Sequence, residues 1–306
     1  MSAKRIIVCG GNGFLGSRIC KYAVARGWQV TSIRYNYYYI SSPPKFPQLI
    51  PVFSRSGEPK WNAVTSSTAP PPWAHKVTWE RADILRPATY APLLKGADFV
   101  VHSMGILLEA DYKGVLRGQE SPISGLRKAF RPAGNPLERN AKESDDTRPP
   151  ETESQLTYEN MNRDSAIMLA KEADKEQAKA FAFISAAGGA PVLPARYILT
   201  KREAEDAIAS RFPRMRGLFF RPPFLYDSSR PITVGMAAMT GAGALFNNIT
   251  GGVLGGFMGA AGVKPLKVDT VAEAVVEALD DESVRGPIEV PEIEKLAEKA
   301  WRKGML

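Results

Sequence analysis

The chain has 306 residues, 44% hydrophobic and 24% charged, a balance that supports a buried core and excludes a disordered or fibrous protein. Two cysteines, Cys9 and Cys20, exclude a disulfide scaffold, and two histidines, His75 and His102, with no Cys/His spacing give no metal site. The net charge of +8 is spread along the chain without a basic–aromatic motif, so it favours an anionic cofactor or anionic membrane surface over nucleic acid.

Arg5 to Cys9 is a short apolar run that predicts a strand almost at the first residue. It leaves no secretory signal and no clear cleavable presequence; internal targeting information in a basic first helix stays open. Gly10 to Gly16 predicts a tight turn, Ser17 to Arg26 a helix, Gly27 its stop, and Trp28 to Ile33 a second strand. Further strands are expected at Val77 to Arg81, Asp98 to Ser103, Ala180 to Ser185 and Gly217 to Arg221. Helices are expected at Thr157 to Asp174 and Lys201 to Ser210. Strands alternating with helices imply an α/β fold built on a doubly wound parallel sheet.

Three stretches interrupt this pattern. Tyr35 to Phe53 breaks the path out of the second strand, and is either a lineage-specific loop or translated intron sequence. Glu109 to Gln155 is polar and predicts a long surface loop. Thr233 to Val263 has no charged residue and nine glycines. Three uses fit it: a pocket lid or packing segment, a surface for a membrane or partner, or, least well with so much glycine, a membrane span. The expected organisation is therefore a nucleotide-binding domain over 1–232 and a small C-terminal substrate lobe over 233–306, packed on the same core.

The chemistry concentrates at the ends of strands. Gly10, Asn12, Gly13, Phe14, Leu15 and Gly16 form a G-x-x-G-x-x-G turn between strand and helix. Gly10 permits the turn, Gly13 lets a pyrophosphate approach the backbone, and Gly16 permits close helix packing. The helix N-terminus adds N–H groups for the phosphates, so the turn predicts a dinucleotide site of the Rossmann type. An NAD site places an acid after the second strand, but Met1 to Gly57 holds eight basic residues and no acid. Arg34 ends that strand, with Arg55 in its place if the insert loops out. Either suits the 2′-phosphate of NADP better than the bare hydroxyl of NAD.

Asp83 and Ile84 follow the third strand, as adenine-pocket residues or as a helix cap. Ser103, Met104 and Gly105 follow the fourth, where small residues admit a ribose. Tyr197 and Lys201 stand at i and i+4 on one helix face, so the ammonium is expected to lower the phenol pKa for acid–base work. Ser185 is placed to hydrogen-bond a substrate oxygen, and Pro222 to line a nicotinamide pocket with rigid backbone.

With the glycine turn, Ser185, Tyr197 and Lys201 in order, the chain resembles the short-chain dehydrogenase/reductase superfamily in its extended or atypical branch. More narrowly, it is similar to fungal mitochondrial NAD(P)-binding proteins associated with coenzyme Q biosynthesis. That likeness rests on GGNGFLGSRIC (Gly10 to Cys20), SRSGEP (Ser54 to Pro59), HSMGILLE (His102 to Glu109) and GNPL (Gly134 to Leu137). TYENMNRDSAI (Thr157 to Ile167) and YILTKREAE (Tyr197 to Glu205) complete it.

The resemblance implies a protein at the matrix face of the mitochondrial inner membrane, with peripheral membrane contact and the coenzyme Q biosynthetic complex as partner. It implies NADP-dependent oxidoreduction of an apolar, quinone-like molecule. Tyr197 would be the proton donor, Lys201 the group that lowers its pKa and holds the ribose, and Ser185 the carbonyl ligand. The related NADPH-binding accessory subunit of respiratory complex I implies an alternative, a non-catalytic assembly subunit. An isomerase or epimerase using the same tyrosine–lysine pair is a third.

Overall fold

The computed structural model describes residues 3–35, 57–65, 67–105, 157–188, 195–227 and 264–305. Arg55, the body of the insert, and the stretches 109–155 and 233–263 lie outside the described residues.

Strand β1 (Arg5–Cys9) leads through the glycine turn into helix α1 (Phe14–Ala25), and the chain returns along β2 (Gln29–Tyr35). A short helix α2 (Trp61–Val64) and a 3-10 turn (Pro72–Lys76) precede β3 (Val77–Ala82). Another 3-10 turn (Pro87–Thr89) and α3 (Ala91–Leu94) precede β4 (Phe99–His102). A π-helical turn (Glu159–Asp164) opens α4 (Ser165–Lys175), followed by β5 (Ala180–Ile184), α5 (Ala195–Arg211) and β6 (Arg216–Phe220). The short strands β7 (Leu225–Tyr226) and β8 (Leu266–Lys267) pair with each other. Helix α6 (Val268–Asp280), strand β9 (Gly286–Ile288) and helix α7 (Val290–Gly304) complete the described chain.

Seven described strands form one sheet in the order β3-β2-β1-β4-β5-β6-β9, and every pairing in it is parallel. Such a sheet must be covered on both faces, which explains the apolar run Ile6 to Cys9 of β1 and the fully apolar β5. One face packs Ile6, Val8, Val101 and Leu218 against α1, α6 and α7. The other packs Ile7, Val100, Phe181 and Phe183 against α3, α4 and α5. The strand order reverses between β1 and β4, so the carboxyl ends of those two strands flank the crevice where ligands sit in such sheets.

Several boundaries differ from expectation for local reasons. Helix α1 starts at Phe14 instead of Ser17, because Gly13 in extended conformation serves as its N-cap. β2 runs one residue past Arg34, carried by the Tyr35–Ala82 pairing with β3. α5 starts at Ala195, which puts Tyr197 in its first turn. The last part of the chain returns to the sheet: β9 pairs with β6, and Arg216 of β6 donates to the carbonyls of Ala278, Leu279, Asp281 and Val284 at the end of α6. The carbonyls of Ala278 and Leu279 are among those that a helix terminus leaves unpaired, and those of Asp281 and Val284 belong to the loop that follows. Among the described residues no helix is long and apolar enough to cross a membrane.

Candidate dinucleotide and tyrosine–lysine site

The glycine turn is held at both ends by backbone. Gly10 N–H donates to Ile33 O of β2 (2.9 Å), and Gly13 N–H to Gly10 O (2.8 Å). Gly10 has φ +89°, and a Cβ there would lie 2.8 Å from both Ser103 Oγ and Met104 Cγ, so only glycine fits. A Cβ on Gly16 would collide with the Gly10 carbonyl. The close packing expected of Gly16 is thus against the turn itself. No side chain caps α1 and no acid stands in its first turn, which leaves its positive end for an anion.

The ends of β1, β4 and β5 form one contiguous line. Ser103 Oγ donates to Cys9 O (2.9 Å), tying the end of β4 to β1. Gly105, at φ +155°, lies beside α5: a Cβ there would be 2.8 Å from Asn162 Oδ1 and 3.5 Å from Lys201 Nζ. Lys201 Nζ donates to Ile184 O at the end of β5 (2.8 Å) and stands 5.5 Å from the Tyr197 ring centre. Glycine turn, Ser103–Gly105, Lys201, Tyr197 and the end of β5 are therefore brought together.

The electrostatics differ from the simple expectation. Burial pushes Lys201 down to about 7, with the Arg202 charge adding and Glu205 opposing. Burial, with neighbouring Tyr158 adding, pushes Tyr197 up to about 12. The ammonium does not lower the phenol in the protein alone; Tyr197 stays protonated at neutral pH and suits the role of acid. Its ring meets Tyr158 edge-on at 5.9 Å, and Arg196 forks onto Glu159 beside it (2.7 and 2.8 Å). Ser185 is 4% exposed, and its Oγ accepts from Arg202 (2.8 Å), so its own proton can point at another acceptor. Arg202 in turn pairs with the buried Glu205, which also holds Arg221.

Other expected residues take mixed positions. Asp83 accepts from Leu85 N–H (3.0 Å) in a local turn and pairs with Arg86, but it caps no helix, since Arg86 is the N-cap of the 3-10 turn that follows; Ile84 is fully buried in the core. Pro222 is buried and its carbonyl accepts from Ala187 N–H (2.8 Å), joining the ends of β5 and β6. Arg34 is half-buried on β2 with Arg81 of β3 as its register partner.

Three neighbours were not expected from sequence: Asn162, Arg81 and His102. Asn162 is buried in the π-turn, and such turns recur at functional sites. Its motif, Thr157 to Ile167, was the available signal. His102 Nε2 lies 2.9 Å from Ser165 Oγ, which donates to Met161 O (2.9 Å). Nε2 therefore carries the proton, and the buried Nδ1 has no partner among the described residues.

No protein-family model matches the chain. MIOREX complex component 2 of Saccharomyces cerevisiae is 37% identical over 241 residues, covering 74% of this chain and 74% of that protein. An uncharacterised chloroplastic protein of Arabidopsis thaliana is 30% identical over 105 residues, 34% of this chain and 26% of its own length. Among solved structures, a short-chain dehydrogenase/reductase from Serratia marcescens superposes with a TM-score of 0.52 at 13% identity, covering 94% and 96% of the two chains. UDP-glucuronic acid 4-epimerase from Bacillus cereus, solved with NAD, gives 0.51 at 14% identity over 94% and 78%. These likenesses establish the fold.

Proposed function

The chain belongs to the family of the yeast MIOREX complex component 2, with the fold of an atypical short-chain dehydrogenase/reductase, and from that premise we propose an NADP-dependent oxidoreductase serving mitochondrial coenzyme Q biosynthesis. The observation that carries this reading is the unbroken line from the glycine turn through Ser103 and Gly105 to Lys201 and Ile184. A nicotinamide dinucleotide fits that line. Gly10 and Gly16 let the turn close tightly on Ser103 and on itself, α1 presents an uncapped N-terminus, and Arg34 stands at the end of β2. Asn12, Gly13, Phe14 and Leu15 complete the turn, with Met104 beside it and Pro222 farther along the same carboxyl edge, at the end of β6. When bound, the dinucleotide supplies or accepts the hydride.

Tyr197 then donates its proton to the carbonyl oxygen of the substrate, and Ser185 holds that oxygen with the hydroxyl proton that Arg202 does not engage. Lys201, held by Ile184 O, would bind the ribose of the dinucleotide and recover charge beside its anionic groups. An apolar, quinone-like carbonyl compound is the substrate class, at the matrix face of the inner membrane, with the coenzyme Q biosynthetic complex as partner.

One observation favours a second reading: with Tyr197 held up near 12 and Lys201 down near 7, the pair is not primed in the protein alone. In that reading the chain is an assembly subunit whose dinucleotide stabilises the fold. Tyr197→Phe separates the two. The catalytic reading expects the variant to keep NADPH binding by calorimetry and to lower the rate by about 10²–10⁴. Coenzyme Q content should fall in cells that carry only that variant. Full restoration of coenzyme Q by Tyr197→Phe sinks the catalytic reading and leaves the subunit.

A further inference from the structure

We propose that Arg202 is the positioning residue of Ser185: by occupying an acceptor site on the serine hydroxyl, its guanidinium commits that hydroxyl to donate to the reacting oxygen. The inference rests on the catalytic reading above and deepens it. Two consecutive residues of α5 hold the three residues at the end of β5. Lys201 Nζ donates to Ile184 O (2.8 Å), Arg202 Nη1 to Ser185 Oγ (2.8 Å) and Arg202 Nη2 to Ala186 O (2.7 Å). The Ser185 N–H donates to Phe220 O of β6 (2.7 Å), so backbone and side chain of the serine are both fixed. A hydroxyl has one proton and two lone pairs, and a guanidinium can only donate. The contact therefore consumes a lone pair and spares the proton, which has no acceptor among the described residues.

The guanidinium is itself held in place. Its Nη1 also donates to Glu205 Oε1 (2.5 Å), and Glu205 is buried between Arg202 and Arg221. Arg221 N–H donates to Ile288 O of β9 (3.0 Å) and its Nη1 to Glu289 Oε1 (2.7 Å), which ties the network to the sheet. Arg221 alone meets both Glu205 oxygens through Nε, and Oε2 again through Nη2. The buried carboxylate is thus answered without Arg202, whose further reach to Ser185 and Ala186 serves the end of β5. Accepting a charge-assisted hydrogen bond polarises a hydroxyl and strengthens the bond that it donates. That gain grows as negative charge develops on the substrate oxygen, so Arg202 acts on the rate more than on ground-state binding. A lysine carries the charge at one point and cannot span Ser185 Oγ, Ala186 O and Glu205 with a planar fork.

The test is a double-mutant cycle in cells that carry only the variant, read as the rate of isotope incorporation into coenzyme Q at matched protein level. Ser185→Ala, Arg202→Met and their double variant form the cycle, and each purified full chain is titrated with NADPH by calorimetry. Each single variant is expected to lower the rate about tenfold or more while keeping NADPH binding. The double variant should fall no further than Ser185→Ala alone, because residues that act as one unit do not add. Arg202→Lys should recover part of the rate. An Arg202→Met rate equal to wild type, or a loss that multiplies with that of Ser185→Ala, overturns the positioning role and leaves the catalytic reading standing. Loss of NADPH binding in Arg202→Met makes its role structural and overturns it too. Ser185→Ala at the wild-type rate overturns the catalytic reading, and the inference with it. Should Arg202→Met fail to fold, Arg202→Lys takes its place in the cycle. A loss seen with Ser185 present and absent in the Ser185→Ala background then supports the role; an equal loss in both, or none in either, overturns it.

Discussion

Two enclosed ionisable side chains, Glu277 and Lys201, sit on opposite sides of the same sheet and are treated differently. Glu277 in α6 is fully buried, yet Arg26 beyond α1 and Lys303 of α7 each reach it at 2.6 Å, with Lys299 at 3.5 Å. Lys201 in α5 is 3% exposed and finds one hydrogen-bond acceptor among the described residues, the Ile184 carbonyl. Lys4 and Asp280 extend the first network toward the amino end of the sheet. His102, with its bare Nδ1, extends the second pattern along the carboxyl edge. Charge is compensated from within where three helices must stay packed. At Lys201 no ion pair forms among the described residues, and on the proposed function a ligand supplies the counter-charge.

The largest expected effect tests the compensated side. Glu277→Ala removes the carboxylate that α1 and α7 share, and unfolding in urea should show a loss of about 2–4 kcal/mol. The range sits below that of a fully buried pair because Arg26, Lys299 and Lys303 are a quarter to a half exposed. Burial pushes the Glu277 carboxyl up, but hydrogen bonds from Lys303 and Arg26 outweigh it and leave the pKa below the ordinary value. Its contribution is therefore present above the unfolded carboxylate pKa and fades as pH falls through the folded one. A variant as stable as wild type would make the network decorative and collapse the contrast.

A smaller effect belongs to His102. Burial, with Lys201 adding, holds its pKa down to about 3, whereas the unfolded chain takes a proton near 6.5. Between those values the unfolded state binds more protons, so stability rises with pH there and is lost on acidification. About 2 kcal/mol should disappear through His102 between pH 6 and pH 4, on top of what carboxylates with lowered pKa lose there, and His102→Asn should flatten that slope. Histidine ring nitrogen spectra should show an Nε2–H tautomer that does not titrate above pH 4. A titration near pH 6 would mean that water or a hydrogen-bond acceptor reaches Nδ1 and stabilises its protonated form, so that the carboxyl edge is not as bare as the geometry has it.

The two sides also differ in how far the sequence exposes them. The glycine turn is legible because its backbone demands it: Gly10 at φ +89° and the Gly16 contact tolerate no side chain. Tyr197 and Lys201 are legible because i and i+4 spacing on a helix is local. Arg34 is singled out as a candidate by the lack of acid before Glu58. Arg81 is not, because pairing it with Arg34 requires the register of two strands on either side of a long insert. The expected pKa drop at Tyr197 fails for a related reason, since burial depends on Tyr158 and on packing that spacing does not report. The C-terminal part is a different miss. Val268, Val271, Ala272, Val275 and Leu279 are spaced as one face of a helix, and all are buried in α6. Its attachment to the sheet through β9 involves only Gly286–Ile288, too short a run to stand out.

The smallest effect probes Lys201, where the contrast is sharpest. Its folded pKa of about 7 lies below the unfolded value near 10.5, so between those limits the unfolded state holds the extra proton. The stability contribution of Lys201 should therefore rise with pH above 7 and level off above 10.5. Lys201→Met removes that dependence and a buried charge, at the cost of leaving Ile184 O without its donor. The net expectation is a ligand-free protein more stable by about 1 kcal/mol at pH 7, read from urea midpoints at unchanged m-value. The same variant should lose the stabilisation that NADPH gives wild type in a thermal melt. Stability gained and ligand response lost in one substitution is what an uncompensated site predicts. A variant that loses stability at pH 7 would show that the Ile184 hydrogen bond outweighs the buried charge, and that Lys201 is held for the fold as Glu277 is.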